Sequence, residues 1–267
     1  MSMPSVRSTV LTMSLALAGA GAAGGAVIAS ADSGEADKDP KAILQDVKRD
    51  LGSVKSLHFA GSQKEKGGTT KLAADVIGTT SANIAISEGK ASAHMILLPS
   101  AAYLKGNAAF WKTTGKGGAE VAKRVGSHWV KVPGKTGGSI SALVKEFSPK
   151  QLASCVDVGV GTLTKKSTGT LGGKPVVVLQ DAGDKPGTTP GLLYVATDGP
   201  ILPLRAVQTG QRKAGKIDKK CQDADDKSTS SDLTFSNFNK VAKITAPKGA
   251  LSLEDLADEG GSTGTPS

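Results

Sequence analysis

The stretch SLHFAGSQKEKGGTTKLAADVIGTTSANIAISEGKASAHMILL, residues 56–98, decides the fold class. Leu57, Phe59 and Gly61 alternate with His58 and Ala60; Leu72, Ala74 and Val76 repeat the pattern, and Ile84 and Ile86 follow. A period of two sends successive side chains to opposite faces of a strand. Between the runs lie Lys66-Gly67-Gly68, Gly78-Thr79-Thr80 and Glu88-Gly89-Lys90, short glycine turns that join antiparallel neighbours. The stretch therefore predicts an antiparallel meander. Its last run, Ala91 to Leu98, is apolar on both faces, which predicts a strand covered on both sides, by a helix on one and something else on the other.

Upstream, Ile43, Leu44, Val47 and Leu51 recur at helical spacing, with Asp39 as N-cap and Gly52 beyond the end. Downstream, Tyr103-Leu104-Lys105-Gly106 and Ala109-Phe110-Trp111-Lys112 continue the strand pattern. Residues 117–125 read as a short helix ended by Gly126, and His128 to Val132 as a strand stopped by Pro133. Residues 139–155 read as a helix in two pieces, broken at Ser148-Pro149. Strands are expected near 160–167, 174–181, 191–197 and 202–209, with Asp198-Gly199-Pro200 turning between the last two. After a polar loop over 210–231, Leu233-Thr234-Phe235 and the segment to Ile244 make a closing strand region. The sum is eight or more antiparallel strands and two or three helices. That is an α+β arrangement, with helices on one face of a large curled sheet.

The composition suits one such domain. Of 267 residues, 38% are hydrophobic and only 3% aromatic, while 34 are glycine, nearly twice the usual share. A core so poor in aromatics is filled by Ala, Val, Leu and Ile, or stays partly unfilled. Three His and two Cys leave little material for a metal site, so no metal and no cofactor is expected.

The first 31 residues contain one charge, Arg7, then an uncharged run centred on residues 10–18, then Ala29-Ser30-Ala31. This is the layout of a signal peptide. It predicts a secreted protein, or one on the exterior of the cell envelope. The competing reading is an uncleaved anchor, since the run is roughly 20 residues long, about enough to span a bilayer. The expected organisation is a signal peptide over 1–31, a polar linker over 32–39, one domain over 40–250, and a disordered acidic, then Gly/Ser/Thr-rich tail over 251–267.

The net charge is +9, from 33 basic and 24 acidic residues. Setting aside Arg7 and the four tail acids Glu254, Asp255, Asp258 and Glu259 leaves 32 bases against 20 acids, +12 for residues 32–250. Such a body is drawn to anionic membrane or wall surfaces in a salt-dependent way, although a plain solvated surface accounts for it too. Most of the charge is Lys, without clustered Arg or stacking aromatics, which excludes a nucleic-acid partner. Cys155 and Cys221, the only cysteines, form a disulfide by default in an oxidising compartment; two free thiols are the alternative.

The catalytic motifs fail one by one. Gly134-Lys135-Thr136 looks like the end of a P-loop, but the first glycine would fall on Trp129. Ser87-Glu88-Gly89-Lys90 and Lys135-Thr136-Gly137 mimic serine β-lactamase motifs, but the first lies in a predicted hairpin turn and no Ser-Asp-Asn intervenes. No G-x-S-x-G elbow exists. The acidic run Asp223-Ala224-Asp225-Asp226 lacks the glycine and glutamate of a calcium loop, having Ser228 and Thr234 instead. His58, His94 and His128 sit in predicted strands without metal-like spacing and read as packing residues.

From Ser56 to Pro247 the chain resembles the LppX/LprG-type envelope proteins of actinobacteria, relatives of the LolA-like lipoprotein carriers. The landmarks are an initial helix leading to Leu57-His58-Phe59-Ala60-Gly61, then Tyr103-Leu104-Lys105-Gly106, Phe110-Trp111 and Trp129-Val130-Lys131-Val132-Pro133. Leu193-Tyr194-Val195 follows, turning into Leu202-Pro203-Leu204-Arg205, and Phe235-Ser236-Asn237-Phe238 leads to Ala246-Pro247. The resemblance implies an antiparallel half-barrel wrapped on helices, with an apolar cavity that holds acyl chains. Many members are lipoproteins with a lipobox cysteine, and this sequence has none.

Two functions follow from different classes. The first is a non-enzymatic carrier of a lipid or acylated molecule, expected to act as a monomer. Its concave-face ligand contacts would be Phe59, Ile84, Ile86, Met95, Leu97, Phe110 and Trp129, each of which equally suits a plain core. The second is an envelope sensor or protein-interaction module of the same fold without lipid cargo. A hydrolase lacks any constellation of catalytic residues.

Overall fold

A computed structural model of the chain describes residues 34–133, 144–222 and 227–252. The signal segment, the Gly134-Lys135-Thr136 stretch, the first part of the helix expected over 139–155, the acidic run Asp223 to Asp226 and the tail beyond Ser252 lie outside the described residues.

Helix α1 (Pro40–Ser53) forms where the sequence places it. Asp39 caps it by accepting from the Lys41 N–H at 2.9 Å, Pro40 opens the first turn, and Ile43, Leu44, Val47 and Leu51 form its buried face. Then come β1 (Ser56–Glu65), β2 (Gly68–Ile77), β3 (Ser81–Glu88), β4 (Ala91–Leu98) and β5 (Ala101–Gly106). Two short helices, α2 (Ala108–Thr113) and α3 (Gly118–Val125), separate β5 from β6 (Val130–Pro133). Helix α4 (Pro149–Cys155) precedes β7 (Leu163–Leu171), β8 (Lys174–Asp181), β9 (Gly191–Ala196), β10 (Pro203–Gln208) and β11 (Ser230–Ser236).

All eleven strands belong to one antiparallel sheet in the order β6-β5-β4-β3-β2-β1-β11-β10-β9-β8-β7. The chain starts at the middle of the sheet and walks to one edge, then resumes at the other edge and walks back. Its first and last strands therefore lie side by side, with Phe59 opposite Phe235 and Gly61 opposite Leu233. A Cβ at Gly61 would run into the Asp232 carbonyl, so only glycine lets this seam close. The β7–β8 hairpin turns through the two residues Gly172-Gly173, both at positive φ (58° and 79°), as a type I′ turn demands. The sheet does not close into a barrel: β6 and β7 are its two edges.

The inward side chains of the strands and the buried faces of the helices merge into one core. Leu57, Phe59, Leu72, Ile84, Leu179 and Leu193 meet Ile43, Val47, Leu51, Val125 and Phe147 there. Burying each such aliphatic side chain contributes about 2 kcal/mol. The fold class is the expected one, a curled, unclosed antiparallel sheet with a few helices in its concavity.

Three expectations need correction. Residues 109–112 form helix α2, not a strand. Asn107 is its N-cap, its Oδ1 accepting from the Phe110 N–H at 2.8 Å and its Nδ2 donating to the Lys90 carbonyl at 2.8 Å. That cap outweighs the strand preference of Phe110-Trp111. His128 and Trp129 precede β6 rather than lie in it, because the His128 N–H still bonds back to the Val125 carbonyl at the end of α3. The closing strand stops at Ser236, not near Ile244, because Asn237 and Asn239 adopt positive φ (49° and 59°) and turn the chain.

The segment after that turn covers the second face of β4. Ile96 and Tyr103 on the outward side pack with Trp129, Ile244 and Ala250. Leu251 adds main-chain bonds on the β6 side, with the Lys131 N–H donating to its carbonyl and its own N–H donating to that of Trp129, both at 2.8 Å.

Candidate functional site

The concavity of the sheet is the first candidate. Over β2 to β5 its surface is apolar across four strands: Leu72, Ala74 and Val76, then Ala82, Ile84 and Ile86, then Ala93, Met95 and Leu97, then Ala102 and Leu104. Helix α2 packs on β4 and β5, and α3 packs on α2. Phe110 sits against Gly106, where any Cβ would collide with its ring, and the Trp111 indole N–H donates to the Gly106 carbonyl at 2.9 Å. These two aromatics seat the six-residue α2 on the sheet.

The structure brings six of the seven expected ligand contacts to this side. Phe59, Ile84, Met95, Leu97 and Phe110 are buried, and Ile86 is half-buried at the margin. Phe59 stacks on Phe147 with ring centroids 5.8 Å apart and tilts against Phe235 at 6.3 Å. Trp129 is elsewhere. It belongs to the outward cluster with Ile96 and Tyr103, and its ring lies 5.0 Å from that of His94.

One end of the concavity is closed by a feature that sequence reading missed. Thr70, Gln63, Ser231 and Gln208 are direct cross-strand neighbours from β2 to β10, and all four are buried. Gln208 donates to the Gly210 and Ser228 carbonyls, and Gln63 to Glu65. Further along, Asp181 accepts from the Gly161 and Gly183 N–H groups; burial raises its carboxyl above the usual range despite those two donors. The signal lay in polar residues at inward positions of otherwise alternating strands, and it becomes a row only once the register is known.

The second cover is strapped down. Helix α1 packs on α4. Lys48 and Gln45 hold Asp157 at 2.8 and 3.2 Å, the Ile201 N–H donates to Asp50 at 2.7 Å, and Lys165 reaches the Ala36 carbonyl at 2.9 Å. Cys155 and Cys221 are joined in a disulfide, Cα atoms 5.3 Å apart, which ties α4 to the loop before β11. The three histidines have polar partners: His58 meets Asp75, His94 meets Asn83, and His128 meets the Val125 carbonyl.

Open grooves lie outside the concavity. One, of about 650 Å³, runs over the outward side of β2 to β5 beside Trp129. Another, of about 620 Å³, lies between Leu171, Pro175, Leu204 and Phe238. Among the described residues no helix is long and apolar enough to cross a membrane.

Fold and site together define a half-barrel with an apolar, helix-covered concavity. In fold the chain is similar to LprF from Mycobacterium bovis, at 16% identity and a TM-score of 0.47, over 79% of this chain and 97% of that one. It is also similar to the lipoprotein LppX of Mycobacterium tuberculosis, at 14% identity and a TM-score of 0.44, over 78% and 100%. A third likeness is to the MucA/MucB complex of Pseudomonas aeruginosa, at 14% identity and a TM-score of 0.32, over 79% of this chain and 59% of that one. No protein-family model matches the chain, and the search of curated proteins gives no match. All three TM-scores are below 0.5, so the site rests on this chain's own residues.

Proposed function

We propose that this is a non-enzymatic envelope protein that carries a lipid or acylated molecule, with the acyl chain held between the curled sheet and its helical cover. The observation that supports this most is the apolar face over β2 to β5, roofed on the β4–β5 side by α2 and α3, fourteen residues in all. Displacing that cover would open the β4–β5 side, with Met95, Leu97 and Leu104, to whatever enters. Each methylene that enters contributes about 0.8 kcal/mol, and a saturated chain needs no polar partner. The sequence resemblance points the same way, as does the shortage of large side chains.

Native mass spectrometry of the exported protein, followed by organic extraction, tests the reading. Stoichiometric lipid is expected, and Met95→Lys should lower its uptake at least tenfold, because an ammonium facing hydrocarbon is costly. Since Met95 is buried, Ile86→Lys at the half-buried margin serves as a gentler second variant. Trp129→Lys, on the other face, should leave uptake unchanged. A ligand-free mass with no uptake when lipid is offered overturns the carrier and leaves a protein-interaction module of the same fold.

A further inference from the structure

The outward groove over β2 to β5 has a chemistry of its own. Ala73, Ala85, His94 and Lys105 form one cross-strand row, and Lys71, Ser87 and Ser92 form another two residues along on β2, β3 and β4. Small side chains hollow the floor between them, and Trp129 and Ser127 line it as well. Lys71 and Lys105 stand three strands apart and two residues along, about 16 Å at normal strand spacing and rise. No carboxylate lines the groove. Among the described residues Lys71 and Lys105 make no ion pair, and the hydroxyls of Ser87, Ser92 and Ser127 and the Trp129 indole N–H have no hydrogen-bond partner. Asn107, by contrast, is committed to capping α2.

Two uncompensated ammonium groups without a counter-charge select an anion. Free hydroxyls beside a half-exposed indole suit a ring that carries hydroxyls of its own and an apolar face. We propose that this groove binds a phosphorylated ring polyol, a sugar phosphate in chemical class. Lys71 or Lys105 meets the phosphate, Ser87 and Ser92 meet ring hydroxyls, and Trp129 lies against the ring. The same chemistry occurs free in solution and as a phospholipid headgroup. The site lies on the opposite face of the sheet from the acyl cavity and does not depend on it.

Isothermal titration of the whole chain with glucose 6-phosphate tests the proposal. Glucose, inorganic phosphate, and phosphatidylcholine vesicles with or without phosphatidylinositol are the parallel probes. Glucose 6-phosphate should bind at least tenfold more tightly than glucose or inorganic phosphate, and less tightly as salt rises. The double variant Lys71→Ala with Lys105→Ala should weaken it at least tenfold and Trp129→Ala at least threefold. Binding only to phosphatidylinositol vesicles, lost in the double lysine variant, supports the site and makes the lipid headgroup its source. The proposal is overturned if no phosphorylated probe binds, if the double variant binds as well as the parent, or if inorganic phosphate matches glucose 6-phosphate. Unchanged unfolding midpoints in these surface variants show that the fold is intact.

Discussion

The concavity has two covers, and they are attached by different means. On one side α1 and α4 are held by the disulfide, by Asp157 between Lys48 and Gln45, and by Asp50 on the Ile201 N–H. On the other, α2 is seated on β4 and β5 by two aromatic side chains, one indole hydrogen bond and its Asn107 cap, with α3 resting on it. The first kind of attachment resists being lifted in several directions at once. The second is mostly apolar and releases when another apolar body takes its place. On the carrier reading proposed above, an acyl chain enters without unfolding the domain where the cover is of the second kind, which puts the proposed opening at α2 and α3.

The largest expected effect comes from removing the strap. Replacing Cys155 and Cys221 by Ala opens a loop with a sequence separation of 66. On the chain-entropy account this costs about 4 kcal/mol. Thermal unfolding should fall by roughly 10 °C for a chain of this size, and the loss should be matched in the parent by reductant. An unchanged midpoint would mean that α4 is held by packing alone, and the contrast between the covers would lose its main support.

Next comes the contrast itself. Amide hydrogen exchange should be at least tenfold faster in α2 and α3 than in α1, equivalent to about 1.4 kcal/mol in local opening. Bound lipid should slow α2 and α3 selectively. Equal protection in all the helices breaks the comparison.

The smallest effect belongs to Asp157. Burial pushes its carboxyl up, but the Lys48 ammonium and the Gln45 amide outweigh that and hold it below the usual range. Its contribution is therefore present above the ordinary carboxylate value near 3.8 and is lost as pH falls through the lowered native value. Asp157→Asn should cost about 0.5 kcal/mol at neutral pH, the scale of a partly exposed ion pair, and should flatten the acid limb of the stability curve. Chemical denaturation at pH 7 and pH 3 reads both.

The strands were legible wherever their alternation was clean. Lys174–Asp181 falls where the sequence places it, and Leu57, Phe59, Leu72 and Ile84 point inward as their period demands. Residues 109–112 were not legible as a helix, because Phe and Trp favour strands and the deciding bonds come from Asn107 to the distant Lys90 and Ser92. Trp129 misled for a different reason. Its period was readable: Val130 and Val132 face the core with Leu104, so Trp129 shares the outward face of Lys131 and Tyr103, but its aromatic ring drew it into the apolar set. The outward groove was invisible in the sequence, since Lys71, Ser87, His94 and Lys105 are neighbours only through the registers of four strands.

The seam between β1 and β11 also bears on how the chain reaches this state. Every other strand pairing joins neighbours in the chain, whereas Thr234 meets Ala60 across 174 residues. Two meanders with local contacts can form early and independently, each waiting on the other to bury its middle strand. Closing the long loop between them is slow and comes late, since its entropy cost precedes any return. Until then β1 and β11 are bare strand edges, open to pairing with the wrong chain. A substitution at Gly61 would therefore show itself first as lost yield of folded protein, before any change in the molecules that do fold.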